Sequence, residues 1–459
     1  MRRLVLAILS VWMAASAAQA QTTAQTSPFR LDRTTEDWSN LSDKANHYRP
    51  WHGLKWINSG TSSHVSIGGD FRLRTEIVDQ PLFGATGARS DTYTLQRALL
   101  HVDAVVNPKL RFFGQFGFHE AIGRDGGFPL DKSDLDWSQA FVEITNGSRT
   151  ANAGLRMGRQ EIALSPRFVG TRDSVNVRSN YDGVRGWFQQ GPWRVEGFAS
   201  RPVTIREGSF DDRADQTQRF DGVRVFYTLP NHPTWRVIGG IYQIDRASAR
   251  VGTASGRDQR MNWAGRISGT SGPWDVELEG VIQTGKLGSR DIRAWASAAE
   301  IGYSMLKKPM QPRIGVRWLL ASGDDDPNDN RVGTFVGFVT RPICCADPLW
   351  LAPSNYFAIA PTLRLNATKT IVLEGKIDFI WRASRRDAIY AFPLIPYPRT
   401  ANAPGGDLIS TAPTVSLTWT PVPEFAFSLQ HAEQTARGAF RASGAVDSSF
   451  TYSSFAFRF

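Results

Sequence analysis

The sequence predicts an all-β chain: a transmembrane, up-and-down antiparallel β-barrel of about 18 strands, of the kind that spans bacterial outer membranes. Three observations predict it. Segments of about ten residues with a period of two recur from residue 65 to the C-terminus. The connections between them alternate short and long. The last segment ends on Phe455, Phe457 and Phe459, all of one parity, with an aromatic as the final residue. Such a terminal aromatic is the tag expected to engage the barrel-insertion machinery.

The first strand, 65–77, has Val65, Ile67, Phe71, Leu73 and Ile77 on one parity and Asp70, Arg72, Arg74 and Glu76 on the other. Four charges of both signs on one face fit a wet lumen. On a lipid face each would cost ~2–4 kcal/mol near mid-membrane. The second, 94–106, sets Leu100, Val102 and Val106 against Arg97, His101 and Asp103, and the third, 109–119, sets Phe112, Phe116 and Phe118 against Arg111 and Gln115. Further segments follow at 136–146, 151–161, 182–190, 192–200, 219–229, 234–245, 261–269, 273–283, 291–303, 311–320, 356–366, 370–382, 409–419, 424–434 and 449–459. Short links such as Asn107-Pro108, Asn146-Gly147 and Pro421-Val-Pro423 alternate with longer ones at 78–93, 120–135, 162–181, 201–218, 246–260, 284–290, 321–355, 383–408 and 435–448. A sandwich has no reason to keep its long loops at one end. An outer-membrane barrel does, and about eighteen strands enclose an aqueous channel rather than a filled core.

Bulk composition agrees. Hydrophobic residues make up 41% of the chain, with 15 Trp, 27 Phe and 10 Tyr. No internal apolar run approaches the ~18 residues of a membrane-spanning helix. Residues 1–20 read as a secretory signal, with Arg2 and Arg3, an apolar stretch, then Ala18-Gln19-Ala20. The expected division is signal 1–20, a periplasmic segment 21–64 and a barrel 65–459. The net charge of +10 in a secreted chain points to an anionic solute, an anionic polysaccharide or a lipopolysaccharide surface, and away from nucleic acid. Cys344 and Cys345 are adjacent, with Cα atoms about 3.8 Å apart, so two loop thiols are expected rather than an ordinary disulfide.

Several motifs in order resemble the alginate export family of outer-membrane porins. They are Glu36-Asp37-Trp38, Leu54-Lys-Trp-Ile57, Gly68-Gly-Asp-Phe-Arg-Leu-Arg74, Gln139-Ala-Phe-Val-Glu143, Arg156-Met-Gly-Arg-Gln160, Gly170-Thr-Arg-Asp173, Asp182-Gly-Val-Arg185 and Ala321-Ser-Gly-Asp-Asp325. Asp70 stands where the family usually has Glu. The resemblance spans residues 33–459 and implies a monomeric 18-stranded barrel with an arginine-rich constriction that passes anionic material. Carried over residue by residue, it implies pore-lining roles for Lys55, Arg72, Arg74, Arg159, Arg178 and Arg185, opposed by Glu143 and Asp182. Strand parity adds Arg156, Arg317 and Arg364, and Asp70 and Glu76 among the acids.

Arg156 and Arg159 differ in parity, so Arg159 faces inward only through a bulge or at a strand end. The connection 162–181, with Arg167, Arg172, Asp173 and Arg178, is the candidate to fold inward and narrow the pore. Its alternative is a surface loop on lipopolysaccharide phosphates. Asp324, Asp326 and Asp329 offer hard oxygen ligands for Ca2+, without the spacing or the closing Glu of an EF-hand. No cofactor is otherwise implied. Three other classes compete with an anion channel. A general diffusion porin would use the arginines only to keep the lumen wet. A closed structural barrel would carry a large plug, and only residues 21–64 precede the first strand. An outer-membrane enzyme needs a nucleophile beside a histidine, and no Ser nucleophile motif accompanies His101 or His119 on neighbouring strands.

Overall fold

The computed structural model describes residues 28–459 except 61, 86, 88, 89, 125–129, 149, 165, 166, 169–172, 174, 338–347 and 349. The signal, the Cys344–Cys345 pair and Arg172 lie outside the described residues. Eighteen antiparallel strands close into a barrel. They are β1 (His64–Asp79), β2 (Asp91–Asn107), β3 (Leu110–Ile122), β4 (Ser133–Gly147), β5 (Ala151–Gln160), β6 (Tyr181–Gln190), β7 (Trp193–Thr204), β8 (Gln218–Thr228) and β9 (Arg236–Val251). The second half is β10 (Ala254–Ser271), β11 (Trp274–Leu287), β12 (Arg290–Ser304), β13 (Arg313–Ala321), β14 (Tyr356–Asn366), β15 (Ile371–Trp381), β16 (Leu408–Val422), β17 (Phe425–Ala436) and β18 (Ser448–Arg458). Each strand pairs with its neighbour in sequence, and β18 returns to β1 in the register Asp70↔Arg458, Phe71↔Phe457 and Leu73↔Phe455. Closure leaves no sheet edge to satisfy in lipid.

The period of two sorts each strand into two faces. Ile77, Leu100, Phe112, Phe188, Val223, Ile282 and Val415 lie exposed on the outer wall. Asp70, Arg72, Arg74 and Glu76 turn inward and are buried. Two expected long connections are not loops. β9 and β10 extend until they meet at Gly252-Thr253, and β11 and β12 until they meet at Gly288-Ser289. The sequence between the apolar stretches there is strand that continues past the lipid-facing band, paired at Arg250↔Ser255 and at Lys286↔Asp291.

Both ends of the barrel are furnished. At the long-loop end, the connections after β1, β13, β15 and β17 pack an aromatic core. Phe83 lies 4.7 Å from Phe440 and 6.1 Å from Trp350, and Phe440 lies 4.8 Å from Tyr397. The Tyr397 hydroxyl donates to the Trp350 carbonyl at 2.7 Å. At the short-turn end, residues 28–58 fold as a cap of 3-10 turns and a short helix, His52–Lys55. Arg33 donates to the Phe459 carbonyl at 2.9 Å, and Arg111 on β3 donates to the Thr34 carbonyl at 2.9 Å.

Candidate functional site: the lumen and its inward loop

The connection between β5 and β6 crosses the lumen, and the wall holds it at three places. On β1 and β2, Arg72 donates to the carbonyls of Asp173 and Val175 and to Asn176 Oδ1. Arg97 bridges Asp70 at 2.9 Å and Asp173 at 2.8 Å. Asn176 donates to the carbonyls of Gln96, Glu120 and Asp131. On β8, Arg224 donates to the carbonyls of Ala163 and Leu164. On the far wall, Arg167 reaches Glu277 of β11 at 2.8 Å and Glu300 of β12 at 2.7 Å. A loop carries backbone polar groups that cost free energy when buried without partners. Wall guanidinium groups supply those partners, which is why the loop can run through the barrel. The loop also meets the cap, because Arg178 donates to the Leu31 carbonyl at 2.9 Å.

The expected pore residues therefore separate into groups. Arg72 is buried, and backbone and amide oxygens take the donors of its two terminal nitrogens. Arg74 pairs with Glu76 at 2.6 Å and lies over the Tyr452 ring at 3.7 Å. Arg178 sits inside the loop on Asp173 at 2.5 Å. Arg156 faces inward and binds Glu143 at 2.6 Å. Arg185 binds Glu196 at 2.8 Å. Arg317 binds Glu300 at 3.0 Å. Arg364 lies beside Glu374 at 3.7 Å, with the two side chains 50% and 55% exposed. These last two positions, placed by parity, face water far more than Arg72 and Arg74.

Three assignments are corrected. Parity runs through β5 without a bulge, so Arg156 and Gln160 face inward and Arg159 faces outward. Arg159 pairs with Asp182 at 2.8 Å on the outer wall, beneath the connection that carries Asp212, whose carbonyl it also binds. Tyr181 and Arg185 point into the lumen, so Asp182 between them points out. Lys55 does not line the pore. It is buried in the cap, 5.1 Å from the Trp38 ring, and packs so closely on Gly68 that a Cβ there would lie 2.0 Å from Nζ. Its Nζ has no hydrogen-bond partner among the described residues. Burial, reinforced by Arg33, lowers its pKa from 10.5 to about 7 against the opposing pull of Glu36 and Asp103.

Asp324, Asp326 and Asp329 turn onto nearby backbone N–H groups of Asp326, Asn328 and Arg331. Among the described residues, the acids whose oxygens converge are instead Asp136, Asp211 and Asp212. Residues missed from the sequence include Glu196, Arg194 and Arg224, which meet on β7 and β8, and Glu277, Arg266 and Arg313 on β10, β11 and β13. Parity alone offered them. Nothing in the sequence says that three arginines converge on Glu196, because β6, β7 and β8 contribute one each.

A closed barrel of eighteen strands, apolar outside and charged inside, with a loop folded into its lumen, defines an outer-membrane porin-type channel protein. The sequence profile described as alginate export matches residues 63–447, and the chain belongs to that family. No curated protein sequence matches it. Among solved structures it is similar to OpdK of Pseudomonas aeruginosa with vanillate, at a TM-score of 0.58 and 10% identity over 88% of this chain and 99% of that one. It is also similar to OccK2 (OpdF) of the same organism in complex with glucuronate, at 0.57 and 10% identity over 88% and 98%. A BenF-like porin from Pseudomonas fluorescens Pf-5 aligns at 0.58 and 10% identity over 88% and 100%. At these identities the likeness shows the shared fold.

Proposed function

We propose that the chain is a passive outer-membrane channel for small anionic solutes of organic-acid or uronate size. The observation that carries this reading is the excess of arginine at the lumen nodes. Glu196 is shared by Arg185, Arg194 and Arg224, at 2.8, 3.3 and 2.6 Å. Around Glu300, the four arginines Arg167, Arg266, Arg313 and Arg317 face three acids, Glu300, Glu277 and Asp275. A low-dielectric wall focuses such a surplus into positive potential, and arginine binds carboxylates in a bidentate way. Several modest sites in series attract an anion without trapping it.

The crossing loop and the aromatic core at the long-loop end favour small solutes over a polymer such as alginate. Vanillate and glucuronate, bound by the Pseudomonas structures, have the expected size and charge. In this reading the short turns and the cap face the periplasm, residues 1–20 are removed on export, Phe459 engages the insertion machinery and the barrel works as a monomer.

The test is the reversal potential of the purified protein in a planar bilayer under a KCl gradient. Anion preference is expected. It should fall several-fold when Arg185, Arg194, Arg317 and Arg364 are changed together to Gln. Cation preference in the unaltered protein overturns the reading.

A further inference from the structure

The cap carries a concave site that the channel reading does not use. Residues 37–52 and the turn between β16 and β17 enclose a cavity of about 290 Å³. It is lined by Trp38, Tyr48 and Trp51 and by Asp37, Arg49 and Glu424. The rings are set at angles to one another. Trp38 and Trp51 meet edge to face at 5.8 Å, and Tyr48 and Trp51 each lie 4.5 Å from His52. Tyr48 is 77% exposed. Its ring packs edge-on against His52 and leaves the rest of its surface open beside the cavity.

Glu424 is the second, independent feature. It is only 6% exposed, and the Arg458 N–H fixes its carbonyl at 2.8 Å. Arg49 binds Oε1 at 3.1 Å, while Oε2 finds no hydrogen-bond donor among the described residues. A buried acceptor without a donor costs ~1–3 kcal/mol. Glu424 lines the cavity, and a ligand hydroxyl or amide N–H that draws its carboxylate toward the cavity recovers that cost.

We infer that this cavity is a binding subsite for one pyranose ring of a neutral glycan, on the face of the barrel that the channel reading turns to the periplasm. A pyranose presents an apolar C–H face and a polar equatorial edge. The indole and phenol rings suit the face, and Glu424 and Arg49 suit the edge. Two acids, Asp37 and Glu424, outweigh one arginine in the lining, so a uronate carboxylate is disfavoured here even though the lumen attracts it. Solute selection in the lumen and glycan docking on the cap are then separate properties.

The experiment is a titration of the full-length protein in detergent with tri-N-acetylchitotriose, followed by tryptophan fluorescence and by calorimetry. Saturable binding is expected, at least tenfold weaker in Glu424→Gln and in Tyr48→Ala. The exposed position of Tyr48 makes its variant safe for folding. Glucuronate should bind the cap at least tenfold more weakly than the chitotriose. Absence of saturable binding overturns the inference, as does glucuronate binding equal to the chitotriose, or binding unchanged in both variants. Reversal potentials on the same preparations should be unaltered by Glu424→Gln. A failed titration with normal anion preference refutes the subsite alone, and lost anion preference in the unaltered protein refutes the channel reading alone.

Discussion

Changing Arg72 to Gln should release the crossing loop rather than alter selectivity. Arg72 is 4% exposed and gives its donors to the carbonyls of Asp173 and Val175 and to Asn176 Oδ1. Hydrogen bonds from a charged donor contribute ~1.5–3 kcal/mol each. Burying the guanidinium offsets several kcal/mol of that sum, and Arg97 keeps weaker contacts to the same two carbonyls at 3.4 and 3.5 Å. A net loss of ~2–4 kcal/mol is expected for anchoring at this place, which is roughly a 30- to 1,000-fold shift toward the released loop. Hydrogen exchange at the amides of residues 175–178 should accelerate by about that factor, up to the limit set by whole-barrel unfolding. Single-channel conductance should rise and become noisier, with the sign of the reversal potential kept. If exchange there changes less than about threefold while anion preference collapses, Arg72 is a selectivity residue, and the anchoring argument fails.

Docking of the cap should depend on pH through Lys55. Its pKa is about 7 in the docked cap against 10.5 ordinarily, so the released cap binds the extra proton between those values. Docking therefore strengthens as pH rises from about 7 toward 10 and is weakest, and level, below 7. Limited proteolysis of residues 28–58 should slow over that interval, and Lys55→Met should remove the dependence and protect the cap at every pH. Among the outer connections, Asp387 accepts from Thr334 Oγ1, the Tyr390 hydroxyl and the Asp324 and Ala388 N–H groups. Asp387→Ala leaves those donors unmet, and the connections after β13 and β15 should loosen by ~2–4 kcal/mol, read as faster protease nicking at 322–337 and 383–407 with the barrel intact.

Much of the fold was legible because a membrane barrel writes itself on every strand. Lipid on one side and water on the other impose one rule, period two, and the rule repeats at β1, β3, β11 and β15. The same rule placed Arg317 and Arg364 in the lumen without any motif. It failed where strands leave the lipid. Nothing in the alternation between 246 and 260 marks where lipid contact ends, so extended hairpin and loop look alike there. Motif transfer failed for a different reason. Arg159 and Asp182 do pair, and a paired Arg and Asp carry no sign of which side of the wall they occupy; only counting residues from Arg156 and Tyr181 settles that.

The position of an arginine on the lumen parity does not by itself make it available to a solute. Arg72, Arg97 and Arg224 face inward, yet they hold loop carbonyls or loop and wall carboxylates. Arg364, with half of its side chain in water and its nearest acid 3.7 Å away, is held by little. The field that steers an anion sums over all of these charges, whereas direct binding needs a guanidinium whose donors are free to turn. If the channel passes anions as proposed, the work is divided: buried arginines hold the crossing loop and contribute a static field, Arg317 stays tied to Glu300 but is more hydrated, and Arg364 is the freest to make transient contacts. The two groups are separable by experiment, since substitutions in the first change conductance through the loop and substitutions in the second change selectivity at constant loop protection.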